Sequence, residues 1–136
     1  MRAVGDRLVP AMQELHGLNE QTYTLTQSKK TLSRVYIGDS DGVRSMRWDG
    51  KKWIDEGRLP NTVYEARNIV EDPDGIVWVS GGSNSLLRIE VAPTSLPDSR
   101  VRVVSQKEGL IEWTNDVEFV AGEIFVTADR SKDIFR

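Results

Sequence analysis

Hydrophobic residues occur along this chain in strand-sized runs that are separated by polar turn sequences, and three of these runs share one arrangement. Each has a β-branched residue, an aromatic residue, a second β-branched residue and a small residue: Val35-Tyr36-Ile37-Gly38, Val77-Trp78-Val79-Ser80 and Ile124-Phe125-Val126-Thr127. The aromatic residues are 42 positions apart (78 minus 36) and then 47 apart (125 minus 78). Repeats of roughly 40–50 residues made of short strands are typical of β-propellers, which have about four strands in each blade.

The turn sequences divide the chain into strands that are expected to pair as antiparallel hairpins. Asp49-Gly50 between two strand-like runs is a strong hairpin signal. In Asp72-Pro73-Asp74-Gly75, proline fixes φ at the first central position and glycine tolerates a positive φ. The predicted strands are 22–26, 34–38, 43–48 and 51–55, then 64–71, 76–80, 85–91 and 100–105, then 116–120, 123–127 and 133–136. The sequence therefore predicts an all-β, partial β-propeller with about two full four-stranded antiparallel blades plus most of a third.

A second marker precedes each unit and sets the predicted blade boundaries. The marker is a dipeptide that ends in leucine, and it occurs as Gly17-Leu18, Arg58-Leu59 and Gly109-Leu110. The predicted blades are about 17–57, 58–108 and an incomplete 109–136, after an irregular N-terminal segment, 1–16. Within that segment, helical spacing of apolar residues is interrupted by Pro10, which breaks a helix. An extended Arg7-Leu8-Val9 strand followed by a loop is the alternative, and we favour it.

Residues 67–79, Arg-Asn-Ile-Val-Glu-Asp-Pro-Asp-Gly-Ile-Val-Trp-Val, resemble the two-component regulator propeller repeat. That repeat has an apolar strand, Glu-Asp, a turn ending in glycine, and an apolar residue before tryptophan. The resemblance extends over most of 17–136, although Tyr36 and Phe125 replace the tryptophan and Arg58 replaces the glycine of the second marker. Propellers of this family are extracytoplasmic sensory domains of histidine kinases or hybrid regulators. The resemblance implies a non-enzymatic, periplasmic or extracytoplasmic segment that senses a small molecule, often a carbohydrate.

Three blades would not complete a ring, because propellers usually close with about 4–8 blades. Open blades expose strand edges that favour association. We therefore expect either self-association or pairing with the remaining blades of a longer parent propeller.

Composition and charge exclude several classes of function. The 136 residues carry 18 basic and 21 acidic side chains, for a net charge of −3, and the two signs are interspersed. A nucleic-acid partner is not expected, because no basic stripe could neutralise phosphates. Direct membrane insertion is not expected either, since no run approaches the about 18 apolar residues of a membrane helix. The first 15 residues lack the apolar core of a secretory signal, and without cysteine the chain cannot form disulfides or thiolate sites.

No metal site, cofactor or catalytic residue is predicted. The single histidine, His16, lies in the least regular segment without a nucleophile motif nearby. Asp39-x-Asp41-Gly42 and Asp72-x-Asp74-Gly75 begin like calcium loops, but Gly50 and Ser83 occupy the place of the bidentate glutamate. Both are interpreted as hairpin turns.

Three residues are candidates for contact with a ligand. Trp113 follows the third marker in a predicted loop, where its ring could stack on a sugar or anchor the loop. Arg67 and Arg88 lie in predicted strands, where they could either contact a ligand or face solvent. Two other functions remain open, namely a propeller enzyme of the lactonase or lyase type and a protein-interaction scaffold.

Overall fold

The computed structural model describes residues 2–4, 7–9, 21–62, 64–81, 86–93, 95–110, 114–128 and 134–135. In this part of the chain the regular structure consists of thirteen β-strands and two short 3₁₀ turns, Leu96–Asp98 and Gln106–Glu108, with no α-helix. The prediction of an all-β fold is therefore confirmed.

The strands form one hairpin and three larger antiparallel sheets, and within each sheet neighbouring strands follow one another in the chain. The N-terminal hairpin comprises β1 (Arg2–Val4) and β2 (Arg7–Val9). Sheet I comprises β3 (Thr22–Gln27), β4 (Arg34–Asp39), β5 (Gly42–Trp48) and β6 (Trp53–Arg58). Sheet II comprises β7 (Ala66–Glu71), β8 (Ile76–Gly81), β9 (Leu86–Glu90) and β10 (Arg100–Val104). Sheet III comprises β11 (Thr114–Val120), β12 (Glu123–Ala128) and β13 (Ile134–Phe135).

The observed strands agree closely with those predicted from the sequence, with one clear exception. Strand β2 coincides with the extended Arg7-Leu8-Val9 segment that was favoured over a helix. Strand β6, predicted at 51–55, instead begins at Trp53 and continues to Arg58. The Asp49 carboxylate accepts the N–H groups of Lys51 and Lys52, both at 2.8 Å, and these bonds keep the two lysines in the turn.

The three repeated aromatic residues occupy matching places, since each is the third residue of the second strand of its sheet. Tyr36 is buried in a cluster with Ile69 of β7 and Val77 of β8. Trp78 packs against the cluster that contains Val117 of sheet III. Each of these two rings thus packs onto the sheet that follows its own.

The first strands of successive sheets lie beside one another. Strand β7 contacts β3 and β4, and β11 contacts β7 and β8. The Thr26 hydroxyl donates to the Ile69 carbonyl at 3.1 Å, and the Asn68 amide donates to the Val117 carbonyl at 2.8 Å. A side chain at Gly38 would place its Cβ 2.2 Å from the carbonyl oxygen of Ala66. This close backbone approach explains the small residue that ends the first run.

The leucine markers join the same interfaces. Leu59 follows sheet I and is buried in the cluster between sheets I and II. Leu110 follows sheet II and packs against the cluster between sheets II and III. Gly17-Leu18 lies outside the described residues.

The carboxylate of Glu71 fixes sheet II to the β3–β4 loop of sheet I. It is 2% exposed and accepts the Ser28 hydroxyl at 2.9 and 3.1 Å and the Lys30 N–H at 3.2 Å. The Lys29 N–H also donates to it, and the Tyr36 hydroxyl lies 3.5 Å away. Because a buried carboxylate is costly unless it is hydrogen-bonded, these donors determine where the end of β7 can lie.

Replacement of this carboxylate tests the junction between sheets I and II. In Glu71→Gln we expect a loss of about 2–4 kcal/mol in the free energy of unfolding, because the loop N–H donors lose a charged acceptor. Urea titration measures the change. The matched control is Glu90→Gln, where an exposed glutamate is paired with Arg88; we expect it to cost much less than Glu71→Gln, because exposed ion pairs contribute little. Equal effects in the two variants would contradict the role given to Glu71.

A second carboxylate, that of Glu56, forms ion pairs with two arginines within sheet I. It accepts Arg34 Nε at 2.8 Å and Nη2 at 3.0 Å, Arg47 Nε at 3.1 Å and the Ser45 hydroxyl at 2.7 Å. Burial raises the pKa of Glu56, but the hydrogen bonds from Arg34 and Ser45 and the charge of Arg34 lower it more. The pKa of Glu56 therefore lies below its ordinary value.

This lowered pKa predicts acid sensitivity. Ionised Glu56 stabilises the fold at every pH above the unfolded-chain pKa of about 4.3, and this stabilisation is lost as the pH falls through the lower folded-state pKa. We expect the free energy of unfolding to decrease as the pH falls below about 5, and to decrease less in Glu56→Gln. A Glu56→Gln variant with the same pH dependence as the parent would disprove the linkage.

Candidate functional site

The β7–β8 turn is held by its first aspartate. Asp72 Oδ1 accepts the N–H groups of Asp74 at 3.0 Å and Ile76 at 2.9 Å, while the Gly75 N–H donates to the Asp72 carbonyl at 3.0 Å. Gly75 has a φ of 82°, as the sequence-based turn assignment requires of a glycine. The segment is thus a hairpin turn, as predicted.

The same aspartate fixes the orientation of Trp78. Its Oδ2 atom accepts the indole N–H of Trp78 at 3.2 Å. The Glu-Asp pair therefore has two separate roles: Glu71 bonds to sheet I, and Asp72 positions both the turn and the indole ring. This arrangement gives a physical reason for the spacing of glutamate, aspartate, glycine and tryptophan in this segment.

Trp78 forms part of a cleft between sheets II and III, which we name the Trp78 cleft. Its volume is about 230 Å³. Six apolar side chains line it: Trp78, Leu86, Val104, Leu110, Ile124 and Val126. The remaining lining residues are Glu108 and Gly109. A concave apolar surface with a few polar groups is the usual form of a small-molecule site, although this one is smaller than the roughly 300–1,000 Å³ typical of drug-sized ligands.

A capping box brings Glu108 to the cleft. Glu108 ends the 3₁₀ turn Gln106–Glu108, and its Oε2 atom accepts both the N–H and the hydroxyl of Ser105 at 2.8 Å. These two bonds lower the pKa of Glu108, so the carboxylate is ionised at neutral pH. Gly109 follows with a φ of 94° and turns the chain so that Leu110 reaches the cluster between the sheets.

Arg88, a candidate from the sequence, lies next to this cleft. It pairs with Trp78 across β8 and β9, and its guanidinium carbon is 5.9 Å from the centre of the Trp78 ring. Its guanidinium also forms an ion pair with Glu90. Arg88 thus places a cation at the aromatic ring of the cleft.

Arg67, the second candidate, lies elsewhere. Its side chain is 60% exposed on β7 and donates to Glu65 Oε2 at 3.0 and 2.8 Å. Its guanidinium carbon is 5.5 Å from the ring centre of Tyr23 on β3. The structure therefore does not bring Arg67 and Arg88 into one site. Trp113 and His16 lie outside the described residues.

Trp78, Glu108 and Leu110 are not among the candidate site residues that the sequence indicates. The capping-box pattern, Ser105 followed three residues later by Glu108, was the available signal for an ordered turn beside the third marker. The contact between this turn and Trp78 depends on how the sheets pack. No local sequence pattern reveals that packing.

The described residues contain no group of three histidine, aspartate or glutamate side chains placed to hold a metal ion. Within the same residues, no helix is long and apolar enough to span a bilayer. Comparison with protein-family models, curated proteins and solved structures finds no match to this chain. The cleft provides an aromatic surface and a carboxylate, and Arg88 adds a guanidinium beside the Trp78 ring. Such groups can stack a ring and hydrogen-bond its substituents.

Proposed function

We propose that this chain is a segment of a β-propeller that recognises a small molecule without transforming it, as part of the extracytoplasmic sensor of a two-component regulator. One observation carries the proposal: successive sheets place Tyr36, Trp78 and Phe125 at the same position of their second strands. The side-by-side first strands and the four-stranded meanders of sheets I and II also support a propeller. The resemblance of residues 67–79 to the regulator repeat supports the sensory role and the location.

The chemistry of the Trp78 cleft favours a carbohydrate as the ligand. A sugar ring has an apolar face of C–H groups, which can stack on the indole of Trp78. Its hydroxyls can accept hydrogen bonds from Arg88 and donate them to the ionised Glu108. The volume of about 230 Å³ suits a single sugar unit, such as the end of an oligosaccharide.

Such a ligand would be in contact with two sheets at once. Trp78 belongs to sheet II, whereas Ile124 and Val126 belong to sheet III. A ligand shifts a conformational equilibrium only by its difference in affinity for the two states. A sugar that binds best at one spacing of these sheets would therefore favour that spacing, which is the minimum requirement for a signal.

The two arginines provide a matched test of this site. Both carry a guanidinium near an aromatic ring and an ion pair with a glutamate two residues away, but only Arg88 adjoins the cleft. We expect Arg88→Ala to weaken sugar binding about ten- to hundredfold, the effect of one charged hydrogen bond, and Arg67→Ala to leave it unchanged. Calorimetric titration with a panel of mono- and oligosaccharides measures both.

Equal affinities of the Arg88→Ala variant and the parent would contradict the location of the site. Failure of every sugar in the panel to bind would contradict the class of ligand.

The described sheets are separate and do not close into a ring. We propose that the ring is completed by further copies of this chain or by further blades. For the 136-residue chain we expect association, because open strand edges pair readily. Light scattering should then give a mass of at least twice 15.3 kDa. A stable, folded monomer would contradict self-association.

A further inference from the structure

A second cavity lies at the junction of sheets I and II, and we name it the junction cavity. Its volume is about 140 Å³. Lys30, Arg34, Tyr36 and Glu71 supply most of its polar groups, while Val91 and Pro93 provide an apolar wall. It is separate from the Trp78 cleft, since no lining residue is common to both.

Three of the polar groups of the junction cavity are buried, whereas Lys30 is exposed. Arg34 is 6% exposed, Tyr36 1% and Glu71 2%. The Tyr36 hydroxyl lies 3.5 Å from Glu71, which is longer than the about 2.5–3.0 Å usual for an O–H donor, and it also interacts with the side chains of Arg34 and Ser28. Burial and the charge of Glu71 raise the pKa of Tyr36, so its hydroxyl keeps its proton and remains a donor. A ligand hydroxyl could approach this group more closely than Glu71 does.

The charged groups around the junction cavity already have hydrogen-bond partners. Arg34 forms two bonds with Glu56, at 2.8 and 3.0 Å, and Glu71 accepts the donors of the β3–β4 loop. The Lys30 ammonium donates to the Asp74 carbonyl at 3.2 Å. An ionic ligand would therefore add an unpaired charge to a buried place, which is costly. A neutral ligand whose hydroxyls both donate and accept meets no such cost.

We propose that the junction cavity binds a small neutral polyol of about six heavy atoms, the size of glycerol, since an engineered cavity of about 150 Å³ in another protein accommodates benzene. Its hydroxyls accept from Tyr36, Lys30 or Arg34 and donate to Glu71, and its carbon chain lies on Val91 and Pro93. Because the cavity joins the two sheets, the polyol binds both at once. This proposal does not depend on the ligand of the Trp78 cleft.

Glycerol titration of the ¹⁵N-labelled 136-residue chain tests the proposal by NMR. We expect saturable shifts of the amide signals of Lys30, Thr31 and Gly75, with a dissociation constant on the order of 1 mM, which is within the bound for a ligand of six atoms. The amides of sheet III should not shift, and they report whether each variant is folded.

Three variants locate the binding. Val91→Phe fills the cavity and should abolish the saturable shifts, and Tyr36→Phe should weaken binding about three- to tenfold by removing one hydroxyl. Val103→Phe is the control, because Val103 is 44% exposed on β10 and is not part of the cavity lining; it should bind like the parent. If Val91→Phe fails to fold, the test of the proposal is the difference in glycerol affinity between Tyr36→Phe and Val103→Phe.

Two results would overturn the proposal. The first is a linear, non-saturating response that is the same in the parent and all variants, which would show a general cosolvent effect only. The second is saturable binding that neither Val91→Phe nor Tyr36→Phe changes, which would place the polyol elsewhere.

Discussion

The burial of the Glu71 carboxylate is the constraint on which the arrangement of sheets I and II depends. A carboxylate that is almost completely removed from water needs donors, and the β3–β4 loop supplies the Ser28 hydroxyl and two backbone N–H groups. Those donors have a fixed geometry, so the end of β7 can lie in only one place. The Tyr36 ring then packs onto β7 and β8, and the polar junction cavity is left beside it.

The junction between sheets II and III resembles the one between sheets I and II, but different side chains form it. Trp78 takes the place of Tyr36, and the Asn68 amide bonds to the Val117 carbonyl much as Thr26 bonds to that of Ile69. Phe119, rather than an acid, takes the place of Glu71 in β11, since each pairs with the residue before the repeated aromatic residue; the Lys29 ammonium is 4.9 Å from the Phe119 ring centre. The junction between sheets II and III thus relies more on apolar packing, and it leaves an apolar cleft where the first junction leaves a polar cavity.

The strands and most turns could be predicted from the sequence because they depend on local patterns: β-branched runs, Asp-Gly pairs and the Pro-Asp-Gly turn. Strand β6 was misplaced because the capping of Lys51 and Lys52 by Asp49 competes with strand formation. The two cavities could not be predicted, because Ser28 and Glu71 are 43 residues apart and meet only when the sheets pack. Arg67 and Arg88 look alike in the sequence, yet packing puts only Arg88 beside a cleft.

The central claim is that successive sheets stack with their first strands side by side, and NMR cross-relaxation measures this directly. In the 136-residue chain, the account predicts short proton–proton contacts between the Asn68 side-chain amide and Val117, and between the Thr26 side chain and Ile69. If these contacts are absent while the contacts between paired strands within each sheet are present, the sheets form but do not stack, and the account is wrong.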